Sequence, residues 1–304
     1  MDAGEQRTPE QEAKERRQRL KGIALMTGAV AGFSCIDASA KFLINYMDII
    51  QVVWARYAFA FLLSLFISNP IARPALMRTS RPWLQIGRSA LLVGSTALNV
   101  IALRYLQLDQ TVSIMFSTPF LVAILAGPIL GEWIGPRRWA AISVGFLGVI
   151  LVMRPGLGGI HPAAALTVIG TFLYAIYLIT TRVLSRTDST ETTVFYSNVV
   201  GFIGMSLLLP FVWTTPKGPI IASVMVAIGG FGALGHFLLI AAHRLAPAPI
   251  LAPFIYSQLV WMVALGYLVF GDVPNRWTLI GASIVIASGL YLLFRERQLK
   301  GRSG

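Results

Sequence analysis

Charge is scarce in this chain. Only 12% of its 304 residues are Asp, Glu, Lys or Arg, while 56% are hydrophobic and the mean hydropathy is +0.70. That balance excludes an ordinary water-soluble fold and points to a protein that lies mostly in a bilayer. Acidic residues are scarcer than basic ones, 13 against 25, for a net charge of +12. In a polar protein such an excess would suggest nucleic acid. Here the basic residues stand between apolar runs, as membrane topology requires, so a nucleic-acid partner is excluded. A single cysteine, Cys35, rules out an internal disulfide. His161, His236 and His243 lack metal-ligand spacing, and neither a metal nor a cofactor is expected. Asp37 is the sole carboxylate near mid-span, which leaves an intramembrane hydrolase without a second acid, so an enzyme is not expected. A receptor would normally add a signalling domain, and the connections here are short polar turns.

What is abundant is apolar sequence of spanning length, since about 20 residues cross a bilayer core. Ten such runs follow one another: Gly22 to Tyr46, Ile49 to Asn69, Trp83 to Leu103, Thr111 to Leu130, Ala140 to Met153, Pro162 to Thr181, Thr192 to Trp213, Ile220 to Ala242, Ile250 to Phe270 and Leu279 to Phe294. Residues 1–21 are polar and of mixed charge, without the apolar core of a signal peptide, and are expected to be a cytoplasmic tail, like residues 296–304 at the other end. With the N-terminus inside, 18 of the 25 Lys and Arg fall on the inner side, four on the outer side and three within spans. The positive-inside rule therefore predicts ten spans with both termini cytoplasmic.

The chain also repeats itself. Gly131-Glu132 returns 140 residues later as Gly271-Asp272, and Ser117 as Ser257. Lys41 has Arg182 as its counterpart at a shift of 141, and Arg138-Trp139 returns as Arg276-Trp277. Five spans per unit is an odd number, so the second unit, 162–295, must be inserted upside down relative to the first, 22–155. Inverted repeats of this kind place a site near the midplane and let one bundle rock against the other in alternating access.

These motifs carry a family resemblance. Gly131-Glu-Trp-Ile-Gly-Pro-Arg-Arg-Trp139 followed by Gly145-Phe-Leu-Gly148, and Gly271-Asp-Val-Pro-Asn-Arg-Trp277 followed by Gly281 and Gly289, resemble the end of an EamA domain. The first hairpin, with Asp37-Ala-Ser-Ala-Lys41 and then Arg56, is similar to the opening of bacterial EamA-type members of the drug/metabolite transporter superfamily. The resemblance covers about residues 22 to 295 and implies an all-α, ten-helix inner-membrane carrier, acting on a small molecule. It implies amino-acid export or, as the alternative, uptake of S-adenosylmethionine, riboflavin or another nucleoside-like or vitamin metabolite. A monomer is expected, with coupling to protons or another ion left open. The second unit has Leu178 opposite Asp37 and Ser197 opposite Arg56, so the two halves are chemically unequal.

Asp37, Lys41 and Arg56 are the candidate centre. Ionised side chains at bilayer depth cost about 2.5 kcal/mol or more on insertion scales, and such residues mark sites. Asp37 and Lys41, spaced i, i+4 with the acid first, share a helix face and are expected to pair. The trio leaves a nominal +1, which favours a carboxylate, best as part of a zwitterion such as an amino acid. The other reading is that the three groups only satisfy one another and lock the first hairpin. Around them Asn99 and Ser117 offer hydrogen bonds, while Tyr174 with Tyr177, and Gln258 with Trp261, are expected to line an apolar pocket. Gly230-Phe-Gly-Ala-Leu-Gly235 fits a dinucleotide pattern, but without a preceding strand it is read as a close-packing helix face. Pro119 and Pro253 are placed to break the fourth and ninth helices, a device of transporters, although prolines are also tolerated in ordinary membrane helices.

Overall fold

The computed structural model describes residues 9–68, 77–131, 135–153, 161–246 and 248–300, with no strand among them. Apolar runs in lipid must satisfy their own backbone groups, and all ten do so as helix. In order these are α1 (Pro9–Leu43), α2 (Ile49–Ser68), α3 (Pro82–Leu103), α4 (Leu108–Met115), α5 (Thr118–Leu130), α6 (Pro136–Met153), α7 (Ala164–Leu184), α8 (Thr190–Leu208), α9 (Pro219–Leu245), α10 (Ala248–Ile255), α11 (Gln258–Leu265) with a π-helical turn at Gly266–Phe270, and α12 (Arg276–Lys300). Eight of the apolar stretches are long enough to cross a bilayer. Trp139–Met153 and Arg276–Leu292 are shorter apolar helices. The described part of the polar N-terminal segment continues α1 without a break.

Local sequence explains the ends. Pro82 and Pro219 open α3 and α9, where a missing N–H costs nothing. Ser189 caps α8 by accepting from the Thr192 amide at 3.0 Å. Gly131 and Gly271 close α5 and the π turn with φ of +74° and +71°, a left-handed backbone that favours glycine, so the two repeat-related glycines share one structural task.

The fourth and ninth runs are each broken. Pro119 cannot donate to the Met115 carbonyl, which instead accepts from the Thr118 hydroxyl at 2.6 Å. Ser117 donates to Ile114 O at 2.7 Å, and Ser257 to Phe254 O at 2.6 Å, so each hydroxyl satisfies a carbonyl on the preceding turn. The breaks fall at Phe116-Ser117 and Tyr256-Ser257, 140 residues apart. The prolines do not correspond in this way: Pro119 follows its break, and Pro253 precedes its own.

The main helix pairings recur when the first and second halves are exchanged, whereas α3 packs on α1 and α2 without a like contact of α9 on α7 and α8 of the same extent. α1 packs on α9 as α3 does on α7, α2 on α9 as α8 on α3, and α6 on its own counterpart α12. Between α4 and α10, Phe116 and Tyr256 meet edge to face at 4.9 Å and 78°, repeat-related rings in direct contact. α6 and α12 cross closely at glycines. A Cβ at Gly148 would lie 2.8 Å from Gly281 O and from Val285, and one at Gly281 would lie 2.7 Å from Val152. The glycines of α9 also serve close approach, Gly235 against the Phe33 ring and Gly229 against the backbone of α2 at Ala60.

Candidate functional site

α3 organises the centre. Thr96 and Asn99, one turn apart, present two polar groups to α1 and α2. Asn99 Nδ2 donates to Asp37 Oδ1 at 3.1 Å, and Arg56 Nη1 donates to Thr96 Oγ1 at 3.2 Å. The Tyr57 hydroxyl shares Thr96 Oγ1 at 3.0 Å, and the Arg56 guanidinium lies 5.6 Å from the Tyr57 ring. Asp37 of α1 and Arg56 of α2 are thus held side by side against α3, each on its own neutral partner. No ion pair joins them among the described residues.

Aromatic side chains flank this pair. Tyr174 and Tyr177 of α7 stack at 5.4 Å with their planes 21° apart. Arg88 caps the stack, its guanidinium 4.8 Å from the Tyr177 ring, and the charge of Arg56 reaches Tyr174 from the other direction. His236 stands edge-on to Phe33 at 5.2 Å, also within reach of Arg56. Asp37, Arg56, Asn99, Tyr174 and Tyr177 are only half-buried, and His236 is exposed, although all lie mid-helix among packed elements. Asn99 Oδ1 and Arg88 Nε are sealed from water without a partner.

The expected Asp37–Lys41 pair does not form. Lys41, one turn nearer the helix end, reaches away: its Nζ lies 2.7 Å from Asp272 Oδ2 and donates to Leu106 O at 3.1 Å, with the Phe270 ring 4.9 Å off. A carboxylate at the rim is less costly to keep charged than one at mid-span, and Lys41 takes the rim partner. The trio therefore resolves into a central Asp37–Arg56 pair and a separate latch. Ser117 is buried at the helix break with its hydroxyl turned to its own backbone, so it shapes the break and offers no free donor. Gln258 is half-buried and Trp261 39% exposed, and neither makes a hydrogen bond or ring contact with the centre among the described residues.

Arg88 is the important residue that motif reasoning passed over. It is 1% exposed and donates to Thr181 Oγ1 at 3.1 Å, Thr193 O at 2.7 Å and Ser197 Oγ at 2.5 Å, fastening α3 to α7 and α8. Ser197 is the position opposite Arg56. A lone basic residue inside an apolar run, the same signal that marks Arg56, was there to be read. At the same end Asp188 accepts from Thr79 Oγ1 at 2.5 Å and Gln85 Nε2 at 2.6 Å. Partial burial pushes its carboxyl upward, but the hydrogen bonds from Thr79, Gln85 and Thr187 outweigh that and hold it below the ordinary 3.8.

Comparison with known proteins places this architecture. The chain is 28% identical over 288 residues to a riboflavin transporter of Rhizobium johnstonii, covering 93% of this chain and 94% of that one. It is 27% identical over 283 residues to an S-adenosylmethionine uptake transporter of Rickettsia felis, covering 93% and 96%. A riboflavin transporter of Vibrio cholerae is 27% identical over 277 residues, covering 90% and 93%. A solved crystal structure shares the fold with a TM-score of 0.61 at 16% identity, over 90% of this chain and 98% of its own. Residues 20–154 and 161–295 each match one and the same family, so the duplication seen in the packing is a duplication of that domain. The chain belongs to the EamA-like transporter family.

Proposed function

We infer that the protein is an alternating-access carrier that takes up a small metabolite built on a planar ring, of the riboflavin or nucleoside-like class, across a bacterial inner membrane. In this reading α6 and α12 also cross, making ten spans in two inverted units, 22–155 and 162–295, with both termini cytoplasmic. The register of the α6–α12 crossing, Gly148 against Val285 and Gly281 against Val152, and the recurrence of the main helix pairings support the inversion.

The observation that carries the substrate class is the Tyr174–Tyr177 stack beside Asp37, Asn99 and Arg56. Offset aromatic faces receive a heteroaromatic ring, each such pair contributing about 0.5–1.5 kcal/mol beyond burial. The acceptor Asp37, held by Asn99, and the donor Arg56 suit the mixed edge of such a ring. With Lys41 gone to the rim, Asp37 and Arg56 balance, and the surplus positive charge that favoured a carboxylate is absent from the pair. The relatives named above for riboflavin and S-adenosylmethionine favour the uptake alternative.

A stability-shift screen tests this. A ligand of the native state at 100 times its Kd adds about 2.7 kcal/mol of stability and raises Tm. Riboflavin or S-adenosylmethionine is expected to shift the wild-type protein and to lose that shift in Tyr174→Ala. A shift confined to neutral amino acids and indifferent to Tyr174 would return the assignment to amino-acid transport.

A further inference from the structure

The Lys41 latch has a third member. Asp109, in the first turn of α4, is 3% exposed, and its Oδ2 is sealed from water without a hydrogen-bond partner. The charges that act on it are Asp272 and Lys41. Lys41 Nζ is already at this turn, since it donates to Leu106 O three residues before Asp109. Of the other elements packed on α4, α11 has no titratable side chain. α6 carries Arg137 and Arg138 at its start, and α3 carries Arg88 far from this turn, bound to α7 and α8. α7 offers the centrally stacked Tyr174 and Tyr177 and, in its last turn, Arg182, while α12 carries Arg276 over the Trp277 ring.

One lysine thus faces two carboxylates that belong to different halves of the molecule. Lys41 and Asp109 lie in the first matched domain and Asp272 in the second, so the Lys41–Asp272 bond ties the halves together at this end. Backbone amides of its own turn hold the Asp109 carboxyl, while Oδ2 stays buried without a partner, a costly arrangement that either a proton or Lys41 relieves. We propose that Asp109 is a proton-binding site that controls this latch. Protonated, it leaves Lys41 to Asp272 and the halves stay joined. On releasing its proton to the solution it becomes a partner for Lys41 within its own half, and the inter-half bond is given up. A depression of about 450 Å³ lined by Ile44, Asn45, Asp48 and Arg104 lies one turn beyond Lys41, on the side of the latch nearest the solution. The device acts whatever the substrate, and its test needs none.

Hydrogen exchange of the purified protein in nanodiscs, between about pH 5 and pH 9 and corrected for intrinsic rates, reads the latch in the segments 104–110 and 266–275. The wild type is expected to lose protection there by at least about tenfold as pH rises. Asp109→Asn, fixed neutral, is expected to stay protected throughout, and Asp272→Asn to be open throughout. Infrared difference spectra of the wild type, independent of any variant's folding, are expected to lose a neutral carboxylic-acid band over the same range, and Asp272→Asn to retain that change. Equal pH dependence in the wild type and Asp109→Asn, or no such band, overturns the proposal.

Discussion

Replacing Arg88 by methionine separates two roles that a buried cation can have. The guanidinium makes three hydrogen bonds, to Thr181, Thr193 and Ser197. Bonds to a charged group contribute about 1.5–3 kcal/mol each, so a naive sum is large. Two considerations cut it down. Burying the charge costs several kcal/mol, which methionine of similar volume does not incur. The partners also remain satisfied: Thr181 Oγ1 still donates to Tyr177 O at 2.7 Å, and Ser197 Oγ to Thr193 O at 2.9 Å, so no buried group is orphaned. The net change in global stability is therefore expected to be only about 1 kcal/mol, of either sign. What is lost is the tie from α3 to α7 and α8, and each 1.4 kcal/mol removed from that tie raises the population with this end open about tenfold. Thermal unfolding of Arg88→Met should show a Tm close to the wild type, while hydrogen exchange over 177–197 accelerates and the Lys41 end is unchanged. A fall in stability of more than about 4 kcal/mol, the mark of a broken buried network, would refute the reasoning.

Other predictions follow from the same geometry. Gly281→Ala places a Cβ 2.6 Å from Gly148 O where two backbones cross, and should cost about 1–3 kcal/mol in unfolding experiments. Gly204→Ala, with nothing within 4 Å of the new Cβ, should be neutral or stabilise by up to about 1 kcal/mol. The Asp188 carboxyl titrates lower folded than its ordinary 3.8, so its clasp on Thr79 and Gln85 holds fully above that value and is lost as pH falls through the lower folded one. Exchange of residues 77–81 and 185–190 should accordingly be insensitive to acidification from about pH 8 to pH 5, whereas Asp188→Asn weakens the clasp throughout that range.

The sequence was most informative where bilayer physics leaves few choices. Runs of spanning length had to be helices, and the repeat at Gly131 and Gly271 pointed to two structural equivalents that share a left-handed cap. It was least informative about partners. Spacing placed Asp37 and Lys41 on one face, but an i, i+4 relation records proximity along a helix, and Asp272, 231 residues away in sequence, outcompetes the local acid. The helix breaks were expected from Pro119 and Pro253, yet their register follows Ser117 and Ser257, whose hydroxyls satisfy carbonyls on the preceding turn. Arg88 drew no motif because its partners are hydroxyls and a carbonyl, which only the fold assembles.

The measurement that bears most directly on the carrier reading is uptake of labelled riboflavin and S-adenosylmethionine into proteoliposomes holding the wild type, Asn99→Ala or Tyr174→Ala. Saturable uptake of one of these ring metabolites, reduced by at least about tenfold in both variants, is the predicted result. Facilitated flux of amino acids alone, equal in all three proteins, would contradict it.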